Sequence, residues 1–222
     1  MRLNVIMMGP PGAGKGTQAG RFARERGLVK ISTGDILREA IKAKNPTALA
    51  AQAQMDRGEL VDDAMIIAIV AERLGRSDAK AGFVLDGFPR TVAQARALDE
   101  LMARTDSGPL IVIDVAVPEQ ELVRRLGSRR ICRTCGTNAS AVDALDCAKC
   151  GGELIQRADD DQSVVRERLK VYQTSTKPVL EYYRERPTFR VVNGAQTPER
   201  VAHELDTMID DAASAMSGER AR

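Results

Sequence analysis

The hydrophobic pattern divides the chain into unbroken apolar runs that alternate with helix-spaced stretches. Leu3-Asn4-Val5-Ile6-Met7-Met8 is apolar at nearly every position and runs straight into a glycine-rich segment. Similar runs follow at Val29-Lys30-Ile31, Phe83-Val84-Leu85-Asp86, Leu110-Ile111-Val112-Ile113-Asp114-Val115 and Phe189-Arg190-Val191-Val192-Asn193. A strand with one wet face alternates apolar and polar residues, whereas a strand buried on both faces does not. These runs therefore read as strands of a parallel sheet, with Met7 and Met8 in the core. Between them, Asp62 can cap a helix carrying Met65, Ile66, Ile69, Val70 and Leu74, with Gly75 at its end. Thr91-Val92-Ala93-Gln94 has capping-box spacing ahead of a helix to about Ala103. Pro118 suits the first turn of a helix carrying Leu122, Val123 and Leu126. Val165, Leu169 and Tyr172 share one face of a later helix, and Thr197-Pro198 opens a last one with Val201, Leu205 and Met208 on one face.

Strands alternating with helices predict an α/β three-layer sandwich with a five-stranded parallel sheet. The stretch from about Gly127 to Asp161 does not fit: it is polar, shows no sheet strand and holds every cysteine, so it reads as an inserted module. There is no internal repeat, and the one low-order stretch is the tail from Ser214 onward.

Length and composition narrow the class. The chain has 222 residues against ~150 for a typical domain, which suits one domain with insertions or two small ones. No apolar run approaches the ~18 residues of a membrane span. Arg2 and the short Leu3–Met8 stretch lack the longer apolar region and cleavage site of a secretory signal, so a cytoplasmic location is expected. A net charge of +2 gives no global drive toward nucleic acid or membrane, and neither is expected as a partner. Aromatics at 3 %, with no Trp, nearly exclude base-stacking platforms.

The four cysteines form two pairs, Cys132-x-x-Cys135 and Cys147-x-x-Cys150, each followed by a glycine, Gly136 and Gly151. Two such turns facing each other make a four-sulfur tetrahedral site that suits zinc, though iron or cobalt also sit on four thiolates. Two disulfides or four free thiols are the competing readings, the disulfides disfavoured by a reducing compartment. A closed thiolate shell leaves no open position for water, so the metal is expected to be structural. Asn138-Ala139-Ser140 fits a glycosylation acceptor and reads as chance in a chain that is not secreted.

Gly9-Pro10-Pro11-Gly12-Ala13-Gly14-Lys15-Gly16-Thr17 follows a strand and precedes a helical pattern, the context of a phosphate-binding loop. Main-chain N–H groups of such a loop wrap phosphate oxygens at the positive end of the next helix, and Lys15 can reach the β- and γ-phosphates. The general pattern places Ser or Thr directly after the lysine. Here Gly16 stands there and Thr17 comes one later.

These residues carry a family resemblance. Gly9–Thr17 with the glycine after the lysine, Ser32-Thr33-Gly34-Asp35-Ile36-Leu37-Arg38, and Asp86-Gly87-Phe88-Pro89-Arg90-Thr91 with Gln94 occur in this order. Arg125 and Arg129 flank the entry to the insert, and Arg157, Asp159, Asp160 and Arg168 flank its exit. Over nearly the whole chain this resembles the adenylate kinase family. The resemblance implies a P-loop core (1–31, 62–127 and 161–222), a small helical monophosphate-binding segment (32–61) and a zinc-ribbon-like lid (128–160). The eleven residues between the cysteine pairs are fewer than such lids usually have.

The implied reaction is ATP plus AMP to two ADP, with magnesium on ATP and a structural zinc, in a monomer. In it Gly12, Ala13, Gly14, Lys15, Gly16, Thr17, Arg125, Arg129 and main chain near Gln196 would hold ATP. Thr33, Arg38, Glu59, Leu60, Val61, Gly87, Arg90, Gln94, Arg157 and Arg168 would hold AMP. Lys15, Arg90, Arg125, Arg129, Arg157 and Arg168 would surround the moving phosphoryl group, and Asp86 would hold magnesium through water. Plain alternatives exist for several of these. Gln94 could simply close a capping box, Thr33 could be a helix cap, Asp86 a turn residue, and Arg157 with 159–161 a solvated face, as Asp161 itself is read. Arg124 and Arg130 neighbour the chosen arginines and could replace them. His203 reads as a surface helix residue. Rival functions are a UMP, CMP or GMP kinase, a zinc-ribbon nucleic-acid-binding ATPase, and a plain P-loop ATPase.

Overall fold

Residues 2–105, 108–139 and 144–219 are described by the computed structural model. Strand β1 (Leu3–Met8) leads through the glycine-rich segment into helix α1 (Lys15–Glu25). Then come β2 (Val29–Ser32), α2 (Thr33–Lys42), α3 (Pro46–Asp56), α4 (Asp63–Leu74), β3 (Gly82–Asp86), α5 (Val92–Arg104), β4 (Leu110–Ala116) and α6 (Glu119–Gly127). The insert contributes β5 (Arg130–Cys132) and β6 (Leu154–Gln156), after which α7 (Gln162–Val171), α8 (Lys177–Arg184), β7 (Phe189–Asn193) and α9 (Pro198–Glu219) complete the fold.

The five apolar runs form one parallel sheet in the order β2-β3-β1-β4-β7. Their continuous apolarity has a direct structural counterpart. Val5 and Met7 of β1 pack with Ile111, Ile113 and Val115 of β4 into the core beneath α1, α6, α7 and α9. The alternate residues Ile6, Met8, Leu110 and Val112 enter the core beneath α2, α4, α5 and α8. Each fully buried Ile or Leu contributes roughly 1.5–3 kcal/mol, so both faces of the sheet hold the sandwich together. From β1 the chain crosses first to the β2–β3 side and then to the β4–β7 side. That reversal opens a crevice at the carboxyl ends of the central strands, where α/β sheets bind ligands.

The expected helix ends are present. The Asp62 carboxylate accepts from Met65 N at 3.1 Å, and Thr91 Oγ1 from Gln94 N at 3.2 Å. Several elements depart from the pattern. The insert, read as lacking strands, pairs β5 with β6 in its own two-stranded antiparallel sheet; three-residue strands are too short to show a period. Val123 is exposed, while Leu122 and Leu126 are buried. The tail from Ser214 stays helical to Glu219, and Ser140 lies outside the described residues. Helix α8 has no counterpart in the sequence pattern, because a π-helical turn, Tyr172–Thr176, joins it to α7 and shifts the apolar phase. Among the described residues no helix is long and apolar enough to cross a membrane.

Candidate functional site

The glycine-rich loop sits at the carboxyl end of β1. Lys15 Nζ donates to the carbonyls of Gly9 and Pro10, both at 2.7 Å, so the lysine folds back over its own loop. Burial drops its pKa to about 8 despite the opposing pull of Asp86; Arg90, Arg168 and Arg129 push it further down. Gly16, the departure from the general loop pattern, faces Asp86 closely. A Cβ there would lie 3.0 Å from Asp86 Oδ2 and 3.7 Å from Lys30 Nζ. A side chain there would press on the Asp86 carboxylate, which is held in a 3.3 Å ion pair with Lys30 and would have to shift by a few tenths of an ångström. In the sequence Lys30 reads only as part of a strand; nothing in its local surroundings marks it as the partner of a residue on β3.

The opposite wall of the crevice comes from α2 and the turn after β3. Ser32, not Thr33, caps α2, accepting from Asp35 N at 3.3 Å. Thr33 is 3 % exposed and its hydroxyl donates to Gly87 O at 2.9 Å. Arg90 Nε donates to the same carbonyl at 2.9 Å. A Cβ on Gly87 would sit 3.0 Å from Arg90 Nη2 and 3.4 Å from Thr33 Oγ1, so glycine leaves room for both. Gln94 departs from a capping box. Its Oε1 accepts from Arg90 N, one residue before the cap, at 2.7 Å, and its Nε2 donates to Asp63 Oδ1 at 2.7 Å. Arg38 pairs with Asp35 one turn away, and Lys30 also approaches Asp35, at 3.6 Å.

Three arginines meet two aspartates between the insert and α7. Arg129 Nε donates to Asp160 Oδ2 at 2.6 Å, Arg157 Nε to Asp159 Oδ1 at 2.8 Å, and Arg168 Nη1 to Asp160 Oδ1 at 3.0 Å and Asp159 O at 2.8 Å. Asp160 is buried, and these charge-assisted bonds are what makes that burial tolerable. Burial lowers Arg168 to about 10. Burial pushes the Asp159 carboxyl up, but Arg168 and Arg157 outweigh it and hold it below its usual range. The 159–160 pair is thus a buried ion network, while Asp161 is exposed and caps α7 through Ser163 N at 2.9 Å. Arg124 is exposed and bound to Glu121, and Arg130 and His203 are exposed.

The charges of Asp86, Arg90, Arg129 and Arg168 act on Lys15, and those of Asp86, Arg38 and Arg157 on Arg90, which places these groups around the loop and its facing wall. Burial also lowers the Arg90 pKa. Arg125 stands apart from them: its Nε meets Glu121 at 2.7 Å and its Nη1 donates to Gly194 O at 2.9 Å, beside the loop that carries Gln196. Gln196 Nε2 is bound to Glu204 at 2.8 Å. Glu59 is exposed and paired with Arg57, whereas Val61 is buried. Two further groups have no signal in the sequence pattern. Thr176, in the π-helical turn, donates to Arg90 O at 3.0 Å. The Asp114 Oδ1 is buried without a hydrogen-bond partner among the described residues, and burial raises that carboxyl's pKa against the pull of Lys15.

The four cysteine sulfurs lie within 4.8 Å of one another. Cys132 and Cys150 Sγ are 3.5 Å apart, and Cys135 and Cys147 Sγ 3.6 Å. A tetrahedron with Zn–S of about 2.3 Å has edges of about 3.8 Å, so the donor set fits zinc. The two turns are built alike. Gly136 N bonds Cys132 O at 2.9 Å and Gly151 N bonds Cys147 O at 2.8 Å, each glycine at a left-handed φ of 69° or 67°.

Comparison with known proteins agrees with this geometry. A family model described as adenylate kinase matches residues 7–188. The chain is 46 % identical to an adenylate kinase of Archaeoglobus fulgidus over 213 residues, covering 94 % of this chain and 98 % of that protein. It is 46 % identical to one from Desulfitobacterium hafniense over 209 residues, 91 % of this chain and 96 % of the other. A Staphylococcus epidermidis adenylate kinase is 43 % identical over 214 residues, 94 % and 99 % of the two chains.

Proposed function

The chain belongs to the adenylate kinase family, and from that premise we propose which of its residues carry the reaction. The reaction is the reversible transfer of the terminal phosphoryl group of MgATP to AMP, giving two ADP. Phosphoryl transfer asks little covalent chemistry of a protein; it asks for alignment and for positive charge around the moving group. In this reading the N–H groups of Gly12 to Thr17 and Lys15 bind the ATP phosphates. Arg125 and the main chain near Gln196 meet the rest of ATP. Arg38 and Arg90 grip the AMP phosphate, with Arg129, Arg157 and Arg168 around the phosphoryl group in flight. Thr33, Gln94, Gly87 and the main chain of Glu59 to Val61 read the AMP base.

The core is 1–31, 62–127 and 161–222, the monophosphate segment 32–61 and the lid 128–160. The lid closes over both substrates and excludes water, which would otherwise accept the phosphoryl group. Asp86 supplies a carboxylate oxygen beside the loop, which suits water-mediated magnesium; bound there, the ion neutralises phosphate charge. Cys132, Cys135, Cys147 and Cys150 hold zinc, which stiffens the lid. The enzyme works as a cytoplasmic monomer without nucleic acid or membrane.

One observation carries the assignment. Arg90, Arg129 and Arg168 lie near enough to Lys15, and Arg38 and Arg157 near enough to Arg90, for their charges to be felt there, while Arg90 and Thr33 share the Gly87 carbonyl; this supports a second, phosphate-binding wall beside the loop, which a plain ATPase does not need. The test is phosphoryl transfer from ATP to AMP, GMP, CMP, UMP and water, with products resolved. ADP from AMP with little hydrolysis is expected. Transfer to another base overturns the acceptor, and hydrolysis alone overturns the second pocket.

The lowered Lys15 pKa gives a pH signature. The cation binds phosphate, and the free enzyme loses it as pH rises through about 8. The kcat/KM for MgATP is therefore expected to be level below that pH and to fall about tenfold per unit above it. Bound phosphate favours the protonated lysine, so kcat persists to higher pH. A kcat/KM profile flat to about pH 9.5 rules this out.

A further inference from the structure

Gln94 is 2 % exposed, and both ends of its amide are bonded to groups of opposite character. Oε1 accepts from the main-chain N–H of Arg90 at 2.7 Å, and Nε2 donates to Asp63 Oδ1 at 2.7 Å. A main-chain N–H can only donate and a carboxylate can only accept. Turning the amide over would face Oε1 with a carboxylate oxygen and an amide N–H with another N–H. Two hydrogen bonds would be lost and two like-poled contacts made, in a site nearly closed to water. Asp63 is itself held: its second oxygen accepts from the Thr91 hydroxyl at 2.8 Å, and Thr91 Oγ1 accepts from Gln94 N at the head of α5.

The two bonds leave Gln94 one N–H and one lone pair. Adenine offers an acceptor at N1 beside a donor on its 6-amino group. A 6-oxopurine has the same ring outline with the two exchanged, a donor at N1 beside an acceptor at O6. A freely turning amide serves both; a locked one serves one. We propose that Asp63 is a positioning residue that sets acceptor specificity. It locks the Gln94 amide so that the pocket takes a 6-aminopurine monophosphate and rejects the 6-oxo form. The proposal rests on the reading of Gln94 as a reader of the AMP base.

The experiment compares kcat/KM for AMP and for inosine 5′-monophosphate, with ATP as donor, in the wild type and in Asp63→Asn. The asparagine is isosteric but can donate as well as accept, so it removes the carboxylate's half of the lock and leaves the Arg90 N–H as the one contact that still favours the original orientation. The AMP-to-IMP ratio is expected to fall at least about tenfold, through KM for both substrates, with kcat for AMP changed less than about threefold. Asp63→Glu, still acceptor-only, is expected to keep most of the preference. Thr91→Val removes the bond to the second Asp63 oxygen and leaves the Gln94–Asp63 bond, so it is expected to lower Tm and to keep clearly more of the ratio than Asp63→Asn does. An equal fall for both substrates, an unchanged ratio in Asp63→Asn, or a ratio lost equally in Thr91→Val overturns the proposal. Should Asp63→Asn not fold, Asp63→Glu decides: a collapsed ratio there overturns the lock, a kept ratio supports it. Gln94→Ala separates the two readings. If the wild type shows no preference, or Gln94→Ala keeps it, the base-reading role of Gln94 has failed. If Gln94→Ala loses it and Asp63→Asn does not, only the lock has failed.

Discussion

Arg90→Ala is expected to lower kcat/KM for AMP by on the order of 10³ while ATP binding changes little. Arg90 Nε is committed to Gly87 O, which aims the guanidinium along the wall that also carries Thr33. Its surroundings are desolvated and already rich in charge, with Arg38 and Arg157 near enough to depress its pKa. Arg38 and Arg157 have their own carboxylate partners, Asp35 and Asp159, whereas no carboxylate is bonded to Arg90 among the described residues, so a phosphate dianion entering there gains a desolvated cation. Two charge-assisted bonds to phosphate are together worth about 3–6 kcal/mol, and each 1.4 kcal/mol is about tenfold, which sets the expected loss. Arg90→Lys should rescue little, because an ammonium cannot hold the Gly87 carbonyl and a phosphate in one plane. Steady-state kinetics with varied AMP, beside equilibrium binding of an ATP analogue, decide the matter. A loss of less than about tenfold, with folding intact by thermal melting, removes Arg90 from the AMP phosphate.

Stripping the lid metal is expected to lower Tm by roughly 10 °C. Among the described residues, Cys132, Cys147 and Leu154 form the lid's own buried apolar cluster, packed with Ala139 and Ala144. So few apolar groups cannot balance the chain entropy of the lid, and segments of this size rely on a metal or a cross-link. Losing several kcal/mol of binding energy corresponds to the stated shift at ~2–4 °C per kcal/mol for a chain of this length. Activity should fall as well. Arg129 and Arg157 lie directly outside the two lid strands, whose register pairs Arg130 with Gln156. A loosened lid therefore frees both guanidiniums. Melting curves before and after chelation, with metal content measured on the same samples, make the test. Unchanged melting in a demonstrably metal-free sample ends the structural assignment.

Much of this was legible in the linear pattern. The sheet was legible because a strand buried on both faces must be apolar on both: Val5 and Met7 serve one core, Ile6 and Met8 the other. The phosphate loop and the cysteine turns were legible for a related reason. Each turn is built within a few consecutive residues, so spacing alone shows it, whereas the meeting of the two cysteine turns is made by the fold. The short strands of the insert were not, since three residues display no period. Helix α8 was hidden by the π-helical turn that rotates its buried face.

Local sequence by itself determined the five strands, the glycine-rich loop, the paired cysteine turns and the helix ends at Asp62 and Thr91, because each depends on neighbours along the chain. Tertiary structure alone decided that Thr33 bonds Gly87 while Ser32 caps the helix, that Lys30 meets Asp86 over Gly16, and that Asp63 holds Gln94. Those pairings join residues brought together only when the helices pack on the sheet. A hydrogen bond or ion pair depends on a few tenths of an ångström and on which group faces which, and neither is encoded in the identity of the adjacent residues.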